Sequence, residues 1–148
     1  MITVAIVTRR LKEGKTYEDF RRAWYHTVGF GTPSRLSTVI NAADPREIIV
    51  IGFVETDLDK YLAGLKIDVK ERLANPLDEV IEPAIGRTFG ILVAEDDFSA
   101  PGALAYKPPS VGGKETDLAE VSRDLKEISR MIALASAERD RMKKETAG

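Results

Sequence analysis

The chain has 148 residues, a formal net charge of −2, and is 43% hydrophobic and 31% charged. That suits one globular domain plus an appendage and gives none of the basic surface that nucleic acid requires. The absence of cysteine excludes disulfides, thiolate metal sites and cysteine nucleophiles, and no apolar run approaches the ~20 residues of a membrane span.

The first expected element is a strand over Met1–Val7, with Ile2, Val4 and Ile6 on one face and Ala5 and Val7 on the other. No basic stretch precedes its short apolar run, which ends at Arg9-Arg10, so it reads as a strand rather than a signal peptide. The expected location is cytoplasmic. Arg9-Arg10 and Arg21-Arg22 stand among acids and read as solvated surface. Glu13-Gly14-Lys15 forms a turn, and Thr16 caps a helix with Glu18 and Asp19 in its first turn. Tyr17, Phe20, Trp24 and Thr27 make its apolar stripe, and Gly29-Phe30-Gly31-Thr32-Pro33 ends it.

A second strand, Leu36–Ala42, should pair as an antiparallel hairpin with a third, Ile48–Val54, through a turn at Asp44-Pro45. In the third, Ile48, Val50 and Val54 oppose Ile49, Ile51 and Phe53. Asp57 or Asp59 can open a second helix carrying Leu58, Tyr61, Leu62 and Leu65. The helical period continues from Val69 to Ile81, where Pro76 breaks or restarts it. Thr88–Ala94 is the fourth strand. The order strand, helix, strand, strand, helix, strand is the ferredoxin-like βαββαβ arrangement, an α+β fold. A sheet apolar on both faces must be buried on both. Two helices cover one face, so a partner sheet is expected on the other, which makes the protein a homodimer or higher homo-oligomer.

Residues 1–98 thus form the sheet domain, and 99–115, with Ala100-Pro101-Gly102 and Lys107-Pro108-Pro109, a Pro/Gly-rich linker. Residues 116–145 read as one amphipathic helix capped by Thr116, with Leu118, Val121, Leu125, Ile128, Ile132, Ala135 and Met142 at heptad spacing. Ser122, Ser129 and Ser136 flank that seam, which either self-associates or lies across the chain's own or a partner's domain.

His26, the single histidine, is the best general acid or base available. On a regular helix it points roughly 140° away from the Phe20–Trp24 stripe, towards solvent or a neighbouring subunit. It reaches an interior pocket only if the helix unwinds before Gly29. Gly29-Phe30-Gly31 follows a helix and lacks the third glycine of a dinucleotide site. Gly112-Gly113-Lys114-Glu115 lacks the required Ser or Thr of a phosphate loop. Asp57, Asp59 and Glu95-Asp96-Asp97 read as cap and turn residues rather than metal ligands, and no triad set surrounds the histidine.

The split βαβ order, the doubly apolar sheet and the string Phe20-x-x-x-Trp24-x-His26 resemble the dimeric α+β-barrel superfamily, which includes antibiotic-biosynthesis monooxygenases and EthD-like proteins. The resemblance covers residues 1–98. It implies two ferredoxin-like sheets paired face to face, a pocket between each sheet and its helices, and chemistry on aromatic or polyketide-like compounds without metal or bound cofactor. Two readings follow. In one the protein is a cofactor-independent enzyme on a small hydrophobic ligand, with His26 moving a proton and Tyr17, Trp24 and Tyr25 shaping the site. In the other it is a non-catalytic ligand-binding or assembly protein. A pocket containing His26 favours the first, and a histidine in bulk water the second.

Overall fold

A computed structural model describes residues 1–74, 76–83 and 85–148. In chain order the elements are β1 (Ile2–Arg10), α1 (Tyr17–Trp24), β2 (Ser34–Asn41), β3 (Asp44–Glu55), α2 (Leu58–Ala74), β4 (Gly86–Ile91), β5 (Ser110–Val111), β6 (Lys114–Glu115) and α3 (Leu118–Ala147). The main sheet is antiparallel with order β2-β3-β1-β4. This is the ferredoxin-like α+β arrangement the element order implies, extended by a long C-terminal helix.

Register fixes the two faces. Thr3, Ala5 and Val7 of β1 stand opposite Val54, Gly52 and Val50 of β3 and opposite Ile91, Phe89 and Arg87 of β4. Leu36 and Thr38 of β2 continue this row through Gly52 and Val50. The helices cover this face, where Phe20 of α1 seals a core with Ile48, Val50, Leu11, Leu77 and Ile81. The opposite face carries Val4, Ile6, Ile49, Ile51, Phe53 and Val39, and no element among the described residues covers it: Ile6 and Val39 stay 38% and 46% exposed.

Local chemistry sets the boundaries. Thr16 and Asp19 close a capping box at the start of α1, the Thr16 hydroxyl accepting from the Asp19 amide at 3.2 Å. Asp57, the first of the two proposed openers, accepts from the Lys60 amide at 2.8 Å and caps α2. That helix ends at Ala74, short of Pro76. Leu77 to Val80 form a turn, and Ile81 bridges back to Leu11.

Several expected details are corrected. The β2–β3 hairpin turns at Ala42-Ala43, and Asp44-Pro45 already belong to β3. The Asn41 side chain holds that turn by accepting from the Ala43 amide at 2.9 Å, leaving Asp44 free to accept from Arg10 at 3.0 Å. Within 99–115, Ser110–Val111 and Lys114–Glu115 pair as a small hairpin. Gly112 and Gly113, at φ 59° and 79°, make the tight turn that L-residues resist. The cap of α3 is Asp117, whose carboxylate accepts from the Ala119 and Glu120 amides, while the Thr116 hydroxyl donates to the Val93 carbonyl at 2.7 Å.

Only the middle of the expected α3 seam is buried. Ile128 and Met131 pack with Tyr61 of α2, joined by Leu58, Leu62, Leu65, Ile91 and Ile132, whereas Leu118 and Leu125 are exposed. The helix lies across the chain's own domain, the second of the alternatives. The burial spacing of Ile128, Met131, Ile132 and Ala135 is that of one helix packed on a globular surface.

Candidate active site

Helix α1 stops at Trp24, one turn earlier than the aromatic stripe suggests. Tyr25, His26, Thr27 and Val28 are poor helix formers ahead of Gly29, and Tyr25 is extended at φ −59°, ψ 126°. The orphaned Trp24 carbonyl accepts from Arg72 Nη2 of α2 at 3.2 Å. The early end decides the histidine's position. His26 turns inward, its side chain 10% exposed, and its Nε2 lies 3.0 Å from Asp68 Oδ1 of α2. An ionised carboxylate only accepts, so Nε2–H donates in this pair, and in the neutral imidazole that leaves the lone pair on Nδ1. Nδ1 is buried with no hydrogen-bond partner among the described residues.

The ring closes an aromatic run. Phe20 stacks on Trp24 at 5.7 Å between centroids, His26 meets Trp24 edge-on at 5.0 Å, and Phe30 follows at 5.2 Å from His26. Behind it lies a cavity of about 260 Å³ between the helices and the covered sheet face. Ala5 and Gly52 face each other on its floor, with Leu36 close over Gly52; Gly64 of α2 and Ala135 and Ser136 of α3 contribute little bulk, and Trp24, Phe30, Tyr61 and Phe89 supply apolar surface. Burial pushes the Tyr61 phenol up to about 12, so it remains a neutral donor at ordinary pH.

Trp24 and His26 border this cavity. Tyr17 and Tyr25 border a neighbouring hollow of about 270 Å³ that shares Phe20, Trp24, His26 and Leu36 with it. Tyr25 is 59% exposed, with the Arg21 guanidinium over its ring.

Four residues enter that sequence reasoning passed over: Asp68, Arg72, Arg9 and Arg87. Arg9 corrects the surface reading of Arg9-Arg10, because it continues the Thr3, Ala5, Val7 row and so borders the cavity. Its neighbour Arg10 points the other way, to Asp44 and Glu82. The Arg9 guanidinium is held below the usual arginine range, first by burial and then by Arg87 and Arg72, with Asp68 and Asp78 opposing. Burial does the same to Arg72, against Asp68 and Glu71. A legible signal was available for α2: Lys60, Gly64, Asp68 and Arg72 recur at four-residue spacing and all border the cavity, a small and polar stripe beside the apolar one.

Among the described residues there is no cluster of three or more His, Cys, Asp or Glu side chains able to hold a metal ion, and no helix is long and apolar enough to cross a membrane. Of the acids read as cap and turn residues, Asp57 caps α2 and Asp97 accepts from the Ser99 amide at 2.9 Å.

No protein-family model and no curated protein matches the chain. Among solved structures it is similar to a Chloroflexus aurantiacus protein described as a candidate antibiotic biosynthesis monooxygenase. The TM-score is 0.50 at 10% identity, over 67% of this chain and 100% of the other. At that identity the likeness shows the shared fold.

Proposed function

We propose that the protein is a cofactor-independent enzyme on a small, largely apolar ligand of aromatic or polyketide-like type, acting by proton transfer in the cavity between sheet and helices. The observation that carries this reading is the His26–Asp68 pair at 3.0 Å, walled in beside that cavity. A histidine in bulk water would have favoured a binding or assembly role. Its side chain is instead 10% exposed.

In this reading Asp68 fixes the Nε2–H tautomer and leaves Nδ1 as the base. Nδ1 takes a proton from an acidic C–H or O–H of the ligand, and the electron pair stays on the ligand as an enolate or phenolate. The imidazolium formed is stabilised across Nε2–H by the Asp68 carboxylate. Nδ1 is screened by its aromatic neighbours, so proton access requires the ring or its neighbours to shift on ligand binding, as catalytic hydrogen bonds commonly do. If the reaction is an oxygenation, the same carbanionic ligand is the species that meets dioxygen. Trp24 would form one wall of the ligand site, and Tyr17 and Tyr25 the entrance through the adjoining hollow.

The open face bearing Ile6, Ile51 and Val39 would pair with the same face of a second copy. Burial at ~25 cal/mol per Å² favours covering so large an apolar patch.

Thermal-shift screening of small aromatic compounds supplies a ligand and then an assay. His26→Ala should lose ~10²-fold or more in turnover with fold and assembly intact, and His26→Gln, which hydrogen-bonds but does not titrate near neutrality, should be nearly as damaging. Equal conversion by both variants would remove the catalytic role.

A further inference from the structure

The cavity's charge is opposite to that of the chain. The protein carries a net charge of −2, yet the charged residues bordering the cavity from its face of the sheet and from α2 are Arg9, Lys60, Arg72 and Arg87 against Asp68, while Arg35 borders it from β2 with its guanidinium over Phe53 on the other face. Three of these cations gather on its floor and wall. Arg87 of β4 stands opposite Val7, and Arg9 is the next residue of β1 on that face, so the two are diagonal neighbours on the sheet. Arg72 approaches from α2 and lies 6.0 Å over the Trp24 ring.

Their hydrogen-bonding capacity is largely unused. Arg72 spends Nη2 on the Trp24 carbonyl, while its Nε and Nη1 are buried with no partner. Neither Arg9 nor Arg87 has an ion pair or side-chain hydrogen bond among the described residues, in contrast to Arg10, Arg22, Arg46, Arg130 and Arg141, each of which has one. Asp68 is committed to His26. The buried, unpaired donors of Arg72 cost free energy, and the like charges of Arg9 and Arg87 brought together with it cost more. An oxyanion placed among them relieves both costs, and guanidinium groups match carboxylate geometry in pairs.

We propose that the ligand of this cavity is a compact organic anion, an aromatic or alicyclic acid whose carboxylate, or an equivalent oxyanion, is held by Arg9, Arg72 and Arg87. Its apolar body lies against Trp24, Phe30 and Phe89. The size agrees, since about 260 Å³ falls just under the ~300–1,000 Å³ typical of pockets for drug-sized ligands. This rests on the ligand-site reading above and adds the charge of the ligand. It also gives the arginines a part in the chemistry, because cations beside a ligand that is losing a proton stabilise the negative charge it acquires.

Trp24 is the single tryptophan of the chain and borders the cavity, so its fluorescence reports occupancy directly. The full-length protein is titrated with 4-nitrobenzoate and with the neutral isostere 4-nitrobenzamide, both quenchers. The proposal expects the acid to bind at least about tenfold tighter than the amide, with the gap narrowing as salt is raised. Arg72→Gln and, separately, Arg87→Gln should each weaken the acid about tenfold and leave the amide nearly unchanged. Arg87 is exposed, so its variant stays informative even if Arg72→Gln fails to fold. Equal binding of acid and amide, or an acid preference that survives Arg87→Gln, overturns the anion inference while leaving the cavity as a ligand site. If neither probe quenches Trp24 at millimolar concentration, the ligand-site reading falls as well.

Discussion

On the helix-covered face of the sheet Ile48 and Val50 are 0% and 4% exposed, whereas on the opposite face Ile6 and Val39 are 38% and 46% exposed. Both faces come from the same alternation of β-branched residues in β1 and β3, so hydrophobicity alone does not distinguish them. The difference lies in what interrupts the apolar rows. The covered face has Ala5 paired with Gly52 at its centre and Arg9 and Arg87 towards one end, and a cavity borders it there. The open face carries Val4, Ile6, Ile51 and Phe53 on its two central strands, flanked by Gly90, Thr88 and Ser37, with Arg35 4.9 Å over the Phe53 ring at its edge. A face with a cavity suits a ligand, and an exposed apolar face suits another surface.

Charging adjacent positions of β3 separates the two roles most sharply. Val50→Asp places an unpaired carboxylate in the helix-covered core, at a cost of several kcal/mol, and should leave no cooperative thermal transition. Ile51→Asp, one residue along and on the other face, should give a folded protein of monomer mass in light scattering at micromolar concentration, where the wild type should show dimer mass. A wild-type monomer, or a dimer unchanged by Ile51→Asp, would break the comparison.

Helix α3 bears on whether the cavity wall belongs to the same cooperative unit. Ile128 is 2% exposed and packs with Tyr61, so Ile128→Ala should cost ~2–5 kcal/mol in denaturant unfolding and weaken quenching of Trp24 by 4-nitrobenzoate. A change under about 0.5 kcal/mol would mean that the helix unfolds separately. Smallest in size is Gly64→Ala in α2. The added Cβ would find Phe30 Cδ1 at 3.8 Å, an ordinary contact, so relief of the glycine penalty should raise stability by ~0.5–1 kcal/mol.

The architecture was legible because it rests on period. Alternation in Ile48–Val54 assigns Ile48 and Val50 to one face and Ile49 and Ile51 to the other, and the register agrees. The site was legible only in part, because it depends on where a helix stops and on pairs distant in sequence. Periodicity carries the α1 stripe through Thr27, and only the poor helix formers after Trp24 signal the early end that turns His26 inward. Its partner Asp68 lies 42 residues away on another helix, beyond the reach of any local motif. Arg9 was hidden for a different reason: beside Arg10 and near acids it has the texture of surface, and its role follows only from extending the inward row of β1 past Val7. In α3, Ile128 and Ala135 of the heptad series are buried together with Met131 on the docked face, while Leu118 and Leu125 of the same series stay exposed, a split that spacing alone does not reveal.

Because the chain has a single histidine, the tautomer of His26 can be read without assignment ambiguity from long-range ¹H–¹⁵N NMR correlations of the imidazole. The account predicts that the neutral form of the ring carries its proton on Nε2 and not on Nδ1. Asp68→Asn should disturb that preference, and 4-nitrobenzoate should shift the Nδ1 resonance. A ring that averages between tautomers as a free imidazole does, indifferent to Asp68 and to the probe, would contradict the claim that the early end of α1 builds a working site on the covered face.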